Sequence, residues 1–253
     1  MRTRLAVILA LALGLAGTAF AQGPWAKKDW KQWSKDDCKK ILEDSPWARR
    51  WAHSEAKMAN FATRPDAQGR GGSGTEGVGS ESELTIYYIV QFRSALPIRQ
   101  AVVRQAQIEN KYDRMESKQR EAVDKQTEGF LNRKFDDIIV VHVMYGSNVQ
   151  EYNRDLATFW QTHYPEGTVP QEAFLDGPKG QKITPLRLLS PKGGAQEFEL
   201  IFPRLVNGEP LVSPSDKTVG IEFVAPTIAK IAGERVFVEF KLDRMTLDGR
   251  PVY

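Results

Sequence analysis

Glu83-Leu84-Thr85-Ile86-Tyr87-Tyr88-Ile89-Val90-Gln91-Phe92 is the stretch on which the fold class turns. Successive side chains in a strand point to opposite faces, so Leu84, Ile86, Tyr88, Val90 and Phe92 share one side and Thr85, Tyr87, Ile89 and Gln91 the other. Both sides are largely apolar, which predicts a strand covered on two faces. Asp137 to Tyr145 repeats the pattern, with Ile138, Val140, His142 and Met144 opposing Ile139, Val141, Val143 and Tyr145. Gly146-Ser147-Asn148 then turns the chain into an amphipathic helix ending near Tyr164.

Between these strands the sequence predicts one long helix over 97–128, about 45–50 Å long at the standard rise. Pro97 presets the first helical position and Gly129 offers a stop. Its apolar stripe is thin, comprising Ile98, Val102, Ala106, Tyr112, Met115, Ala122 and Val123. Beyond Glu109 it is mostly charged, with Glu116 and Arg120, and Glu121 and Lys125, at i,i+4 spacing. Such a helix stands in solvent or meets another chain. Tyr112 and Met115 are therefore candidate interaction residues.

Beyond Pro165 the pattern becomes short strands separated by turns: Ile183 to Leu189, Glu197 to Phe202, Thr218 to Phe223 and Arg235 to Leu242. Gly193-Gly194, Asn207-Gly208 and Asp248-Gly249 punctuate them. This spacing predicts an immunoglobulin-like β-sandwich over 169–253, with the strand at 235–242 in its centre.

Toward the N-terminus, a Gly- and Ser-rich stretch at 63–82 reads as a flexible linker that cannot bury enough apolar surface to offset its ordering entropy. Residues 22–62 precede it and hold five of the six tryptophans. Ser34 with Asp37 forms a capping box there, with Trp33 and Cys38 placed as its staple. Ser45-Pro46 predicts a second helix start, which would bring Trp47 and Trp51 to one helical face as candidate interaction residues. Residues 1–21 have the pattern of a signal peptide: Arg2 and Arg4, an apolar run, then Ala19-Phe20-Ala21 for cleavage. The apolar run is too short for a membrane span. The expected mature product lies in the periplasm or outside the cell, with no integral membrane segment. The complete reading is α+β: an N-terminal helical segment, a strand and helix layer over 83–168, and a C-terminal sandwich.

Composition narrows the function. The chain has 253 residues and a formal charge of +3, of which Arg2 and Arg4 supply two, so the product left after cleavage is close to neutral. Nucleic-acid recognition needs basic charge gathered on one face, which this balance does not suggest. One cysteine excludes an intrachain disulfide, and three histidines without a paired metal motif give no metal or cofactor assignment. Gly146-Ser147-Asn148 follows a strand and precedes a helix, as a nucleophile elbow does, but the flanking Gly-x-Ser-x-Gly pattern is incomplete. His142 is the titratable residue of most interest, as a core histidine or, beside a carboxylate, as a general base. No catalytic residue is assigned.

At Trp33-Ser34, Ile41-Leu42 and Ser45-Pro46-Trp47-Ala48 the chain resembles a group of uncharacterised exported proteins of environmental bacteria. The likeness continues at Leu96-Pro97-Ile98-Arg99-Gln100-Ala101 and at Phe240-Lys241, Met245, Asp248 and Gly249. It implies export and carries no activity. The sequence thus points to a non-catalytic interaction or envelope-associated protein, monomeric or weakly self-associating, with an envelope or extracellular protein as partner. The alternatives are a periplasmic hydrolase with a site near His142, and a sugar- or apolar-ligand-binding module built on the tryptophans.

Overall fold

The two apolar strands pair with each other. In the computed structural model, β2 (Leu84–Phe92) and β3 (Ile138–Ser147) are antiparallel, with Tyr88 opposite Tyr145 and Gln91 opposite His142. The structure describes residues 23–55, 84–165, 167–178, 180–190, 193–213, 215–228 and 233–253. The leader at 1–21 and the linker at 63–82 lie outside the described residues. The architecture is α+β, with mixed helices and antiparallel sheets.

Helix α1 (Lys35–Glu43) begins at the capping box: Asp37 N–H donates to Ser34 Oγ at 3.1 Å and Ser34 N–H to Asp37 Oδ2 at 3.0 Å. Trp33 and Cys38, in the staple positions, are both buried. The helix expected after Ser45-Pro46 does not form. Ser45 and Ala48 exchange backbone hydrogen bonds across a tight turn, and the chain enters a strand, β1 (Ala48–Glu55), paired along its whole length with β2. Proline fixes φ near −65°, which suits the second position of a turn as well as the first position of a helix. Here Trp47 carbonyl accepts from Phe92 N–H and draws the chain onto the sheet edge.

The long helix is also interrupted. Helix α2 (Leu96–Glu109) ends at Asn110, Lys111 takes the left-handed conformation at φ 57°, and a short 3-10 turn (Tyr112–Arg114) leads into α3 (Ser117–Leu131). Asn110 Nδ2 donates back to Ala106 carbonyl, and Glu116 with Gln119 forms a new capping box. Charge spacing at i,i+4 matches a continuous helix and a helix restarted after a break equally well, so it could not reveal the interruption. Helix α4 (Gln150–His163) follows β3.

The C-terminal strands do not close on themselves. The stretch Ile183 to Leu189 divides into β5 (Lys182–Ile183) and β6 (Arg187–Leu189), which join different sheets. With β7 (Glu197–Pro203), β6 completes a five-stranded sheet ordered β1-β2-β3-β7-β6. The second sheet is ordered β11-β10-β4-β5, from β11 (Arg235–Lys241), β10 (Thr218–Val224), β4 (Phe174–Asp176) and β5. Strand β11 alternates buried and exposed residues as expected, yet it is an edge strand rather than a central one. Two hairpins, β8 (Leu205–Val206) with β9 (Glu209–Pro210) and β12 (Thr246–Leu247) with β13 (Arg250–Pro251), turn at Asn207-Gly208 and Asp248-Gly249. All four turn residues have positive φ, the geometry of a tight hairpin turn.

The sheets meet through aromatic side chains. Phe92 packs on Phe240 with ring centroids 4.8 Å apart, Tyr88 on Phe223 at 5.2 Å, and Phe198 on Phe223 at 5.7 Å. Trp160 of α4 inserts among them and stacks on Phe198 at 4.2 Å. Offset and edge-on packing of this kind adds roughly 0.5–1.5 kcal/mol per pair beyond area burial.

Candidate functional site

Three features of the structure bear on function: a buried imidazole relay, a helical hairpin, and a cleft where the two ends of the described chain meet.

The relay lies on the face of the five-stranded sheet opposite the aromatic core. His142 is 2% exposed, held between Gln91 on β2 and Glu197 on β7. Nε2 lies 3.0 Å from Glu197 Oε2, and Nδ1 lies 3.3 Å from Gln91 Oε1. The amide orientation of Gln91 follows from its other bond, since Nε2 donates to Leu42 carbonyl at 2.6 Å and only an N–H can do so. Donation from His142 Nε2 to the carboxylate fixes that tautomer of the neutral ring. A second proton on Nδ1 would improve the Gln91 contact, but it would charge a buried ring. Burial is the larger effect and, with Arg93 nearby, it lowers the His142 pKa against the pull of Glu197 and Glu199. Glu197 is lowered in turn, first by its bond to His142. In the neutral ring Nε2 therefore donates to Glu197, while Nδ1, without a proton, faces the Gln91 Oε1 acceptor and makes no hydrogen bond to it.

The hairpin consists of α2, the 3-10 turn and α3. No residue of α3 is buried. Its C-terminal end is held by Arg99 near the start of α2, whose Nη1 donates to the carbonyls of Phe130, Leu131 and Arg133 at 2.9, 2.5 and 3.0 Å. A cation at a helix C-terminus also complements the dipole. Arg104 forms a two-pronged ion pair with Asp113 and donates to Trp33 carbonyl, tying the turn to the N-terminal segment. Tyr112 and Met115 sit in the connector and are half-buried. The Tyr112 hydroxyl donates to Asp124, so it is a strut within the hairpin.

Nor do Trp47 and Trp51 share a helical face. Trp47 is fully buried, its indole N–H donating to Val252 carbonyl at 2.6 Å, and so it offers no surface to a partner. Trp51 stands on β1, half-buried against Tyr88 and stacked near His53. What the tryptophan segment does build is a cleft of about 840 Å³. Trp25 lines it together with Lys40 and Asp44 at the end of α1, Arg49 on β1, and Asp243, Arg244 and Asp248 from the C-terminal hairpin region. Trp25 packs edge-on against Trp47 at 5.4 Å. These residues are widely separated in sequence and no local motif joins them. The partial signals were the turn at Asp248-Gly249 and the density of tryptophan before residue 52.

Among the described residues no group of three or more His, Cys, Asp or Glu side chains could hold a metal, and no helix is long and apolar enough to cross a membrane. No family model matches the chain, and neither does any curated protein or solved structure.

Proposed function

We propose that the chain is an exported, non-catalytic interaction protein of the periplasm or cell exterior, meeting an envelope or extracellular protein through the α2–α3 hairpin. The observation that carries this reading is α3: fifteen residues, none of them buried, held in place by the buried Arg99 at its end. A helix of this length is marginal by itself in water, so its order is supplied from the base while its outer surface stays open. The contact residues are then the exposed charges Lys118, Arg120, Glu121 and Lys125 rather than Tyr112 and Met115. The burial of His142, 2% exposed, supports the non-catalytic side of the reading, because the ring has almost no surface with which to meet a substrate. The two antiparallel sheets, which draw strands from both halves of the chain, serve as the scaffold in place of a self-contained immunoglobulin-like sandwich at 169–253.

A photo-crosslinker placed at Gln126 in native cells tests it. The expected result is one discrete protein adduct that disappears in the Arg120→Glu, Lys125→Glu double variant while stability stays within about 0.5 kcal/mol. An adduct indifferent to those reversals, or none, overturns the reading. A second reading, binding of a small polar ligand by the tryptophan segment, is favoured by the cleft at Trp25.

A further inference from the structure

We infer that the cleft between the N-terminal tryptophan segment and the C-terminal hairpin is a binding site for a short, uncharged oligosaccharide. This inference rests on the ligand-binding reading of the cleft and is independent of the hairpin. The volume, about 840 Å³, falls in the range of roughly 300–1,000 Å³ typical of small-ligand sites. Its charge is balanced: Lys40, Arg49 and Arg244 face a set of three carboxylates, Asp44, Asp243 and Asp248. A polyanion or polycation would gain no net attraction there. Vicinal hydroxyls, each able both to donate and to accept, would find acceptors in the carboxylates and donors in Lys40 and Arg49.

The aromatic component is fixed in advance. A Cβ on Gly23 would lie 2.2 Å from ring carbons of Trp25, so the indole is laid directly over that glycine, and it packs edge-on against buried Trp47. Trp25 remains half-exposed at the cleft wall, where its ring can stack on the C–H face of a sugar at little ordering cost. Arg49 is similarly set. Its hydrogen bonds to Ser45 and Ala48 carbonyls are both made by Nη1, and its guanidinium lies 6.0 Å from the Phe240 ring centroid, leaving Nε and Nη2 to donate to a ligand.

Calorimetric titration of the full chain with maltotetraose, cellotetraose and chitotetraose, alongside glutamate and arginine as charged controls, decides the matter. At least one tetrasaccharide should bind, and Trp25→Ala should weaken it tenfold or more. Since Trp25 also packs on Trp47, Asp243→Asn and Asp248→Asn, both exposed and outside the core, provide the second arm and should each weaken binding severalfold with unchanged melting. Binding of an amino acid but no sugar would overturn the saccharide assignment while keeping the cleft as a ligand site. No binding of any probe at millimolar concentration, or sugar binding untouched by all three variants, would overturn the site itself. None of these outcomes bears on crosslinking at α3.

Discussion

At the scale of single residues, His142 shows how a titratable side chain becomes structural. Its folded pKa is lowered, so the neutral ring is the form the fold prefers. The unfolded chain therefore binds the extra proton first, and stability contributed by the buried neutral ring is present above the ordinary imidazole value of 6.5 and is lost as pH falls through the lower folded value. Glu197, lowered from 4.5, adds a further loss at more acid pH. His142→Ala should cost about 1–3 kcal/mol at neutral pH, because it leaves a cavity and removes the donor to Glu197. It should also flatten the decline between pH 6.5 and the acid limit. Urea unfolding at several pH values checks both, and a variant with an unchanged pH slope would show that the ring does not titrate with folding.

Among the elements, the C-terminal end of α3 is anchored by Arg99. Arg99 is 6% exposed and serves three carbonyls at the end of α3, a set of bonds that Met can match in length but not in hydrogen bonding. Arg99→Met should destabilise by about 2–3 kcal/mol and should act locally. Amide exchange in α3 should rise by an order of magnitude or more while β2 and β3 keep their protection. Equal loosening of the central strands would mean that the hairpin and sheets unfold as one unit.

At the level of the whole molecule, the two ends of the described chain close on each other. Trp47 Nε1–H donates to Val252 carbonyl across 205 positions, and Arg204 donates to Tyr253 carbonyl at 2.6 Å. Deleting residues 250–253 orphans a fully buried indole N–H and removes one strand of the last hairpin. A loss of about 2–4 kcal/mol is expected, together with a changed near-ultraviolet tryptophan signal from Trp47. An unaltered tryptophan environment would show that the terminal segment does not hold the cleft wall in place.

Whatever depends on neighbours within one element could be read from the residues before any partner was known. The alternation of residues 84–92 and 138–145 named the strands and their faces, Ser34 with Asp37 started α1, and Asp248-Gly249 marked a hairpin turn. It also placed His142 on the face of Ile138, Val140 and Met144, and left open whether it was a core histidine or a general base. Which partners those elements take came from packing across the chain. Pro46 sets φ for a helix or a turn alike, and pairing with β2 selected the turn. Val236, Val238 and Phe240 point inward whether β11 is central or at an edge, and the neighbouring strands put it at the edge. Glu197 reached His142, and Asp248 reached the cleft of Trp25, through contacts between distant segments. Side-chain periodicity fixes local conformation and face, whereas the choice among equally apolar partners is settled by packing the whole chain around one core.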